Sequence, residues 1–470
     1  MSDSGLQQAF EVQRSASRAM PQVAWAQRAD RLRRLARMVE QGAAQFALAI
    51  DSDFGHRSRH ETDLLEVFPS LAGLRHALSH GERWMRGERR ATGKWFFPAS
   101  SRVMPQPLGV AGIIVPWNYP LYLAVGPLAA AFAAGNRAML KLSEFTPAFG
   151  ALFAQLAAGQ FAADELAVVN GDAGVAAEFS RLPFDHLLFT GSTAVGREVM
   201  HAAAENLTPV TLELGGKSPA IVAPGFDLAR AAGRILLGKC LNAGQTCIAP
   251  DYVLLPAGSE AAFVAAARAC VSRMYRQIHT TPDYSSIVNA RHFERLAGLL
   301  EDARAQGAQV ESLAAGGEAP DAASRRFPPL ALTGVSEGMR VMREEIFGPL
   351  LPIVPYADVD AALAYVNARP RPLALYLFDD DPARVDRVLA RTVSGGVTVN
   401  DTILHIAQEA LPFGGVGPSG MGHYHGHEGF LTFSKLKPVF RQSRLNGLAL
   451  FNPPYGERFS RMIRLLKRWA

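Results

Sequence analysis

Apolar residues return every three or four positions through "RADRLRRLARMVEQGAAQFALAI" and its surroundings, which predicts amphipathic helices over residues 14–90. From residue 108 the period changes. "LGVAGIIV" is an unbroken apolar run of strand length, and a helix-like segment over 120–134 follows it. "AMLKL", "LAVVN", "DHLLFT" and "PVTLEL" then alternate with helical segments near 147–159, 173–180 and 193–204. Strands that are apolar on both faces and alternate with helices fit a parallel sheet, because each crossover lays a helix on the sheet. A second series with "GKSPAIVAP", "DYVLLP", "LPIVPY" and "LALYLF" runs from 213 to about 400, and 302–326 reads as a surface segment. The predicted class is α/β, doubly wound.

Ligands of such sheets sit beyond the carboxyl ends of the strands. The loops there are "PWNYP", "SEFTP", "DAG", "GSTAVG" and "GGKSP", all rich in Gly, Pro, Ser, Thr or Asn. Only Gly415, Gly417 and Gly420 match the strict G-x-G-x-x-G spacing, but no clear strand precedes them and no helix follows, so they read as a tight loop. Gly191–Gly196 does follow a strand and open a helix, where free N–H groups and the positive helix end suit a pyrophosphate.

Composition narrows the classes. With 49% hydrophobic and 19% charged residues the chain is globular, with apolar material for two or three domains. Its three cysteines are too few for a disulfide framework, which points to a reducing compartment and a cytoplasmic protein. Residues 1–20 lack the apolar core of a secretory signal. The apolar stretch 109–135 is interrupted by Pro116, Asn118, Pro120 and Pro127, so it reads as buried strand, loop and helix rather than a membrane span. A net charge of +5 gives no argument for nucleic acid.

Cys247 stands in "LNAGQTCIAP", among small residues that leave a sulfur approachable and in a turn whose N–H groups could hold an oxyanion. From this stretch alone, a nucleophile and a buried structural cysteine are equally open; Cys240 and Cys270 lie in helix-like apolar contexts and read as structural. Glu213 ends an apolar strand just before two glycines. A carboxylate buried there is either a general base or a partner of a backbone amide or Lys217. His423, His425 and His427 alternate in "GHYHGHEGF", but no closed ligand set accompanies them, and no metal site is expected.

Four stretches, "PWNYP" (116–120), "LELGGKSP" (212–219), "NAGQTC" (242–247) and "EEIFGP" (344–349), resemble in order and spacing the signature motifs of the aldehyde dehydrogenase superfamily. "FTGSTAVG" and "LPFGGVGPSGMG" add to the resemblance, which runs from about 20 to 440. "AAAENLTPVTLELGGKSP" and "SGMGHYHG" are similar to the class 3 branch, and "RVMPQPLGVAGIIVPWNYP" to its bacterial members acting on coniferyl aldehyde.

The resemblance implies NAD(P)-dependent oxidation of a hydrophobic, coniferaldehyde-like aldehyde to its acid, with medium or long fatty aldehydes as the alternative and a catalytically silent relative as a remote one. In the roles it implies, Cys247 is the nucleophile, Glu213 the base and Asn118 the oxyanion donor. Pro116, Trp117, Lys141, Glu144, Gly191, Ser192, Glu345 and Phe347 would hold the cofactor, NAD being favoured over NADP; Tyr119, His405 and Phe413 would line the substrate pocket. It further implies two doubly wound domains and a small bridging β arm. These are a nucleotide-binding domain (1–85 and 105–212), a catalytic domain (213–398), an arm (86–104 and 399–430) and a tail (431–470). A homodimer is expected. In the tail, Phe459, Met462, Ile463 and Leu466 form a helical stripe among basic residues, which would pack on protein or lie on an anionic membrane surface.

Overall fold

The structure, a computed structural model, describes residues 3–469. Helices Trp25–Phe54 and Phe68–Trp84 occupy the segment where helical periodicity is read, and a further helix, Asp3–Ala19, begins before it. Between the last two, Arg59–Thr62 continues into a wider π-helical turn at Asp63–Val67, which shifts the helical phase.

The first sheet has the order Gly420–Met421, Val210–Glu213, His186–Thr190, Val110–Ile114, Arg137–Lys141, Leu166–Val169. All pairs are parallel except the short strand Gly420–Met421, which runs antiparallel beside Val210–Glu213. Every residue of Val110–Ile114, Arg137–Lys141 and His186–Thr190 is buried, as unbroken apolar runs between helix layers require. The helices Tyr122–Ala134, Pro147–Ala158, Ala173–Ser180 and Thr193–Ala204 lie where the alternation places them.

The second sheet has the order Gln309–Ser312, Leu330–Thr333, Leu350–Tyr356, Tyr252–Pro256, Pro219–Val222, Ala374–Phe378, Gly396–Val399. It is parallel apart from its edge strand Gln309–Ser312, which lies inside the segment expected to be plain surface. A short apolar–polar alternation, "QVES", paired on one side only, is too weak to stand out from the polar loop around it.

A third, antiparallel sheet joins Glu88–Arg90, Ser100–Pro107 and Ser434–Arg441. The arm's expected return at 399–430 is thereby corrected: its third strand lies in the stretch assigned to the tail, while Gly420–Met421 joins the first sheet. "SKLKPVFR" is exposed along most of its length, so its sequence carries no buried face to betray it. The helix Glu457–Trp469 closes the chain, with Phe459 packed on Phe451 and Tyr455. Among the described residues no helix is long and apolar enough to cross a membrane.

Candidate active site

Strand register brings the candidate loops together. Ile114 pairs with Lys141 and Phe189, Lys141 with Val169, and Thr190 with Glu213, so the carboxyl ends of the parallel strands form one edge. The Gly191 N–H donates to the Glu213 carbonyl at 3.0 Å, which fixes the glycine loop beside the carboxylate. Gly415–Gly420 is a tight turn, as expected. Gly420 approaches Leu212 so closely that an added Cβ would stand 2.1 Å from its carbonyl oxygen, and its φ of +143° favours glycine.

The Cys247 loop is held in an uncommon shape. Asn242, Ala243 and Gly244 are all left-handed, with φ of 50°, 52° and 76°. Non-glycine residues in this region cost energy and persist where their surroundings over-determine them. Gln245 supplies that constraint: its amide donates to the carbonyls of Asn242 and Ser286 and accepts from the Val288 N–H. The Asn242 amide donates to the Asn118 carbonyl at 3.0 Å, and the Asn118 amide donates to the Gln245 carbonyl at 3.1 Å. An amide nitrogen has two hydrogens, so Asn118 keeps one to offer.

Beneath this loop lies a buried charge network that the sequence reading missed. Arg57 and Glu66 pair at 3.2 Å, both fully buried. Arg57 also donates to the Asn118 carbonyl at 2.7 Å and stacks over Phe54 and Tyr119. Glu66 accepts the N–H groups of Leu121 and Tyr122, where helix Tyr122–Ala134 starts. Glu61 accepts from the Asn242 N–H and the Ser285 hydroxyl; burial pushes its pKa up to about 6 against the opposing pull of Arg57. Asn118 and the thiol loop are thus seated on one bonded platform.

Cys247 is partly exposed, whereas Cys240 and Cys270 are buried, as their contexts predict. Burial of the sulfur, with the carboxyls of Glu345 and Glu213 nearby, pushes the Cys247 thiol up to about 12, opposed by the N–H groups of Cys247 and Ile248. Glu213 is buried with neither carboxyl oxygen hydrogen-bonded, and burial raises its pKa well above the ordinary range. It therefore has neither of the bland partners; Lys217 is engaged with Asp251 at 2.8 Å. Glu345 is raised to about 8 by burial and then by Asp251, with the Gly216 N–H and the cations Lys217 and Arg295 opposing.

The residues expected to hold a dinucleotide line the same edge. Ser192 caps helix Thr193–Ala204 through a bond from the Val195 N–H, and the start of that helix is open to solvent. Lys141 is buried and donates to the carbonyls of Leu142 and Gly171, while Glu144 is exposed on the next loop. Trp117 meets Phe347 edge to face, and Phe347 itself is left-handed with φ of 48°. The Glu345 carboxyl fills the place where a side chain on Gly215 would begin, 2.1 to 2.4 Å from the added Cβ, and its Oε1 is buried without a partner. An open helix N-terminus and an orphaned carboxyl beside a glycine cradle fit a phosphate-bearing, ribose-bearing ligand.

Of the expected pocket residues, Tyr119 bonds Thr246 at 2.6 Å beside the thiol, and Phe413 stacks between His405 and His425. Pro116 precedes Trp117 in the loop after Val110–Ile114. The alternating histidines do not share a strand face. His425 is buried before helix Gly426–Thr432, which carries His427 half a turn away, and among the described residues no three His, Cys, Asp or Glu side chains gather as a metal site.

The sequence model of the aldehyde dehydrogenase family matches residues 2–439. The chain belongs to the aldehyde dehydrogenase family. It is 53% identical over 458 residues to a probable coniferyl aldehyde dehydrogenase of Pseudomonas aeruginosa, covering 97% of this chain and 95% of that protein. A substrate-bound Staphylococcus aureus AldH superposes with a TM-score of 0.91 at 36% identity, covering 98% and 99% of the two chains. An indole-3-acetaldehyde dehydrogenase in complex with NAD+ has a TM-score of 0.85 at 27% identity, with 94% and 89% covered. This aldehyde dehydrogenase is an NAD(P)-dependent oxidoreductase with the family's α/β fold.

Proposed function

We propose that the dehydrogenase oxidises hydrophobic aromatic aldehydes of the coniferaldehyde type to carboxylic acids, with Cys247 as nucleophile, Glu213 as base and Asn118 as oxyanion donor. The observation that carries this reading is the buried Glu213 carboxyl, left without a hydrogen bond within electrostatic reach of the Cys247 thiol. In water a lone carboxylate would keep its solvent; here its first available partner is a proton from the thiol or from an entering water.

Glu213 takes the thiol proton and the sulfur forms a bond to the aldehyde carbon. The carbonyl oxygen becomes an oxyanion, which the free hydrogen of the Asn118 amide and the Cys247 N–H stabilise, each donor contributing about 3 kcal/mol on the usual scale. A bound nicotinamide supplies the hydride acceptor that makes a thioester of this adduct. Lys141, Glu144, Gly191, Ser192, Glu345, Phe347, Pro116 and Trp117 would hold that dinucleotide. Once Glu213 has passed the thiol proton to solvent it is ionised again and takes a proton from water, the water oxygen bonds the acyl carbon, the C–S bond breaks, the acid leaves and the Cys247 sulfur regains its proton from Glu213.

NAD is favoured over NADP because the exposed Glu144 carboxylate can accept from a ribose 2′-hydroxyl and repels a 2′-phosphate. The name of the Pseudomonas aeruginosa relative supports the aromatic substrate. Initial rates with benzaldehyde, coniferaldehyde, octanal and dodecanal, each with NAD and NADP, test both choices. The highest kcat/KM is expected for coniferaldehyde with NAD; a preference for dodecanal would transfer the reading to fatty aldehydes.

The partners follow from the surface. Trp95, Phe96, Phe97 and Phe440 are exposed on the arm, and exposed aromatic side chains beside a polar antiparallel sheet with open edges favour a homodimer built through it. The helix Glu457–Trp469 packs on its own chain through Phe459 and presents its basic face outward, where an anionic membrane surface would attract it. In a cytoplasmic enzyme this would be peripheral contact. Flotation with anionic vesicles is expected to carry the full chain and to lose a chain ending at residue 456; equal behaviour of the two removes membrane contact.

A further inference from the structure

Behind the loop that carries Asn118 stands one guanidinium. Arg57 lies on the link between helices Trp25–Phe54 and Arg59–Thr62, where the Asp51 carboxylate accepts its backbone N–H at 2.7 Å. The wide turn Asp63–Val67 carries Glu66 back to face it, and both side chains are fully buried. The pair grips the loop at two points. Arg57 Nη1 donates to the Asn118 carbonyl at 2.7 Å, while Glu66 Oε2 accepts the N–H groups of Leu121 and Tyr122 at 2.7 and 3.3 Å. An ion pair of 3.2 Å thereby ties Asn118 to the start of helix Tyr122–Ala134, which is buried on all sides.

Stability gives no reason for this pair. Arg57 Nε and Nη2 and Glu66 Oε1 are buried without a hydrogen bond. A buried ion pair with open valences recovers little beyond what its desolvation costs, and apolar side chains of like volume would serve the fold as well. What they could not do is hold a carbonyl. A charged donor on a backbone oxygen is a short, strong and directional bond.

The grip matters at Asn118 because its other bonds run to the thiol loop. The second donor to its carbonyl, the Asn242 amide at 3.0 Å, and the acceptor of its own amide, the Gln245 carbonyl at 3.1 Å, both lie in the segment before Cys247. Among the described residues, Arg57 is the donor that ties the Asn118 carbonyl to a part of the protein outside that segment. The same guanidinium stacks 4.9 Å from the centre of the Tyr119 ring, whose hydroxyl bonds Thr246, the neighbour of Cys247. With the peptide and the amide both fixed, one hydrogen of Asn118 is left to point at a developing oxyanion. Such a donor acts only if it is held within a fraction of an ångström of its target.

We infer that Arg57 is a positioning residue for the oxyanion: its guanidinium, seated on Glu66, holds the Asn118 peptide so that the free amide hydrogen meets the oxygen as charge develops on it. Arg57 touches no substrate and acts through Asn118. The inference rests on the reading of Asn118 as the oxyanion donor. A loosened peptide lets the amide swing away in the transition state while the contacts that bind the aldehyde are kept, so kcat falls and KM does not.

The test is a double-mutant cycle on the full chain, read as the rate of the first turnover with benzaldehyde and NAD, with KM and a thermal midpoint for each variant. Asn118→Ala alone is expected to lose about 10²- to 10³-fold, the scale of one oxyanion donor. Arg57→Lys keeps the charge on a shorter stem without the planar fork, and should lose about threefold to tenfold with KM within about twofold of the wild type. Arg57→Met combined with Glu66→Gln leaves no lone buried charge and should lose about tenfold to a hundredfold, so that lysine stands as a partial rescue. Placed on Asn118→Ala, either change should cost less than about twofold more, because nothing is left for the arginine to place. Losses of equal size in both backgrounds would mean that Arg57 serves the fold alone, and they overturn the inference, as does a wild-type rate in both arginine variants. If the methionine and glutamine pair does not fold, the lysine cycle decides. A wild-type first turnover in Asn118→Ala removes the oxyanion reading and the positioning role together, whereas a slow Asn118→Ala with additive losses removes the positioning role and leaves the donor standing.

Discussion

Cys247→Ala is expected to fold normally and to reduce no nicotinamide with any aldehyde, a loss of at least about 10⁴ in kcat. Folding should survive because the alanine keeps the Cβ and the strained loop is held by Gln245, Asn242 and Glu61 rather than by the thiol. Turnover should not survive, because without the sulfur no tetrahedral carbon forms from which a hydride can depart. Absorbance of the reduced cofactor, with a thermal midpoint as a folding control, measures both. Full activity in this variant would end the proposed mechanism.

Glu213→Gln separates the two halves of the reaction. The first turnover still forms the thioester, because solvent can take the thiol proton in place of Glu213, so a burst approaching one reduced cofactor per active subunit is expected. Hydrolysis then slows by about 10²- to 10⁴-fold, the usual scale for a lost general base. A linear time course at the wild-type rate would remove Glu213 from the chemistry. The pH dependence has a definite sign. Burial raises the folded pKa of Glu213 above the ordinary value of 4.5, so the ionised base accumulates only as pH climbs through the raised value, and the wild-type rate should climb with it. Glutamine should flatten that limb. Stability runs the other way: a raised folded pKa means that Glu213 stabilises the fold least once pH exceeds that value. The glutamine variant should therefore be at least as stable as the wild type on the alkaline side.

The parts of this enzyme that were legible in its sequence are those where a local pattern and a global constraint coincide. The buried strands are unbroken apolar runs because both faces are covered, and the reacting groups sit on the loops that follow them. The platform under those groups was not legible. Arg57, Glu61 and Glu66 stand in "RSRHETDLLEV", where charges at helical spacing look like a solvated face. The π-helical turn at Asp63–Val67 rotates the following residues, and pairing between Arg57 and Glu66 removes the signature of burial, which is apolarity. The arm's third strand was hidden for the opposite reason, since Ser434–Arg441 is a strand that buries almost nothing.

The braces of the thiol loop reach far along the chain. The amide of Asn118 bonds a carbonyl 127 residues away, Ser285 reaches back 224 residues to Glu61, and Tyr122 meets His425 across 303. During synthesis, a chain that has emerged only as far as Cys247 lacks Ser285, Ser286 and Val288, and with them the bonds that hold the left-handed turn. Such a nascent chain carries an ordinary, unpoised thiol. Catalytic competence, the placing of Cys247 against Asn118 and Glu213, should therefore arrive late, as a property of the finished polypeptide.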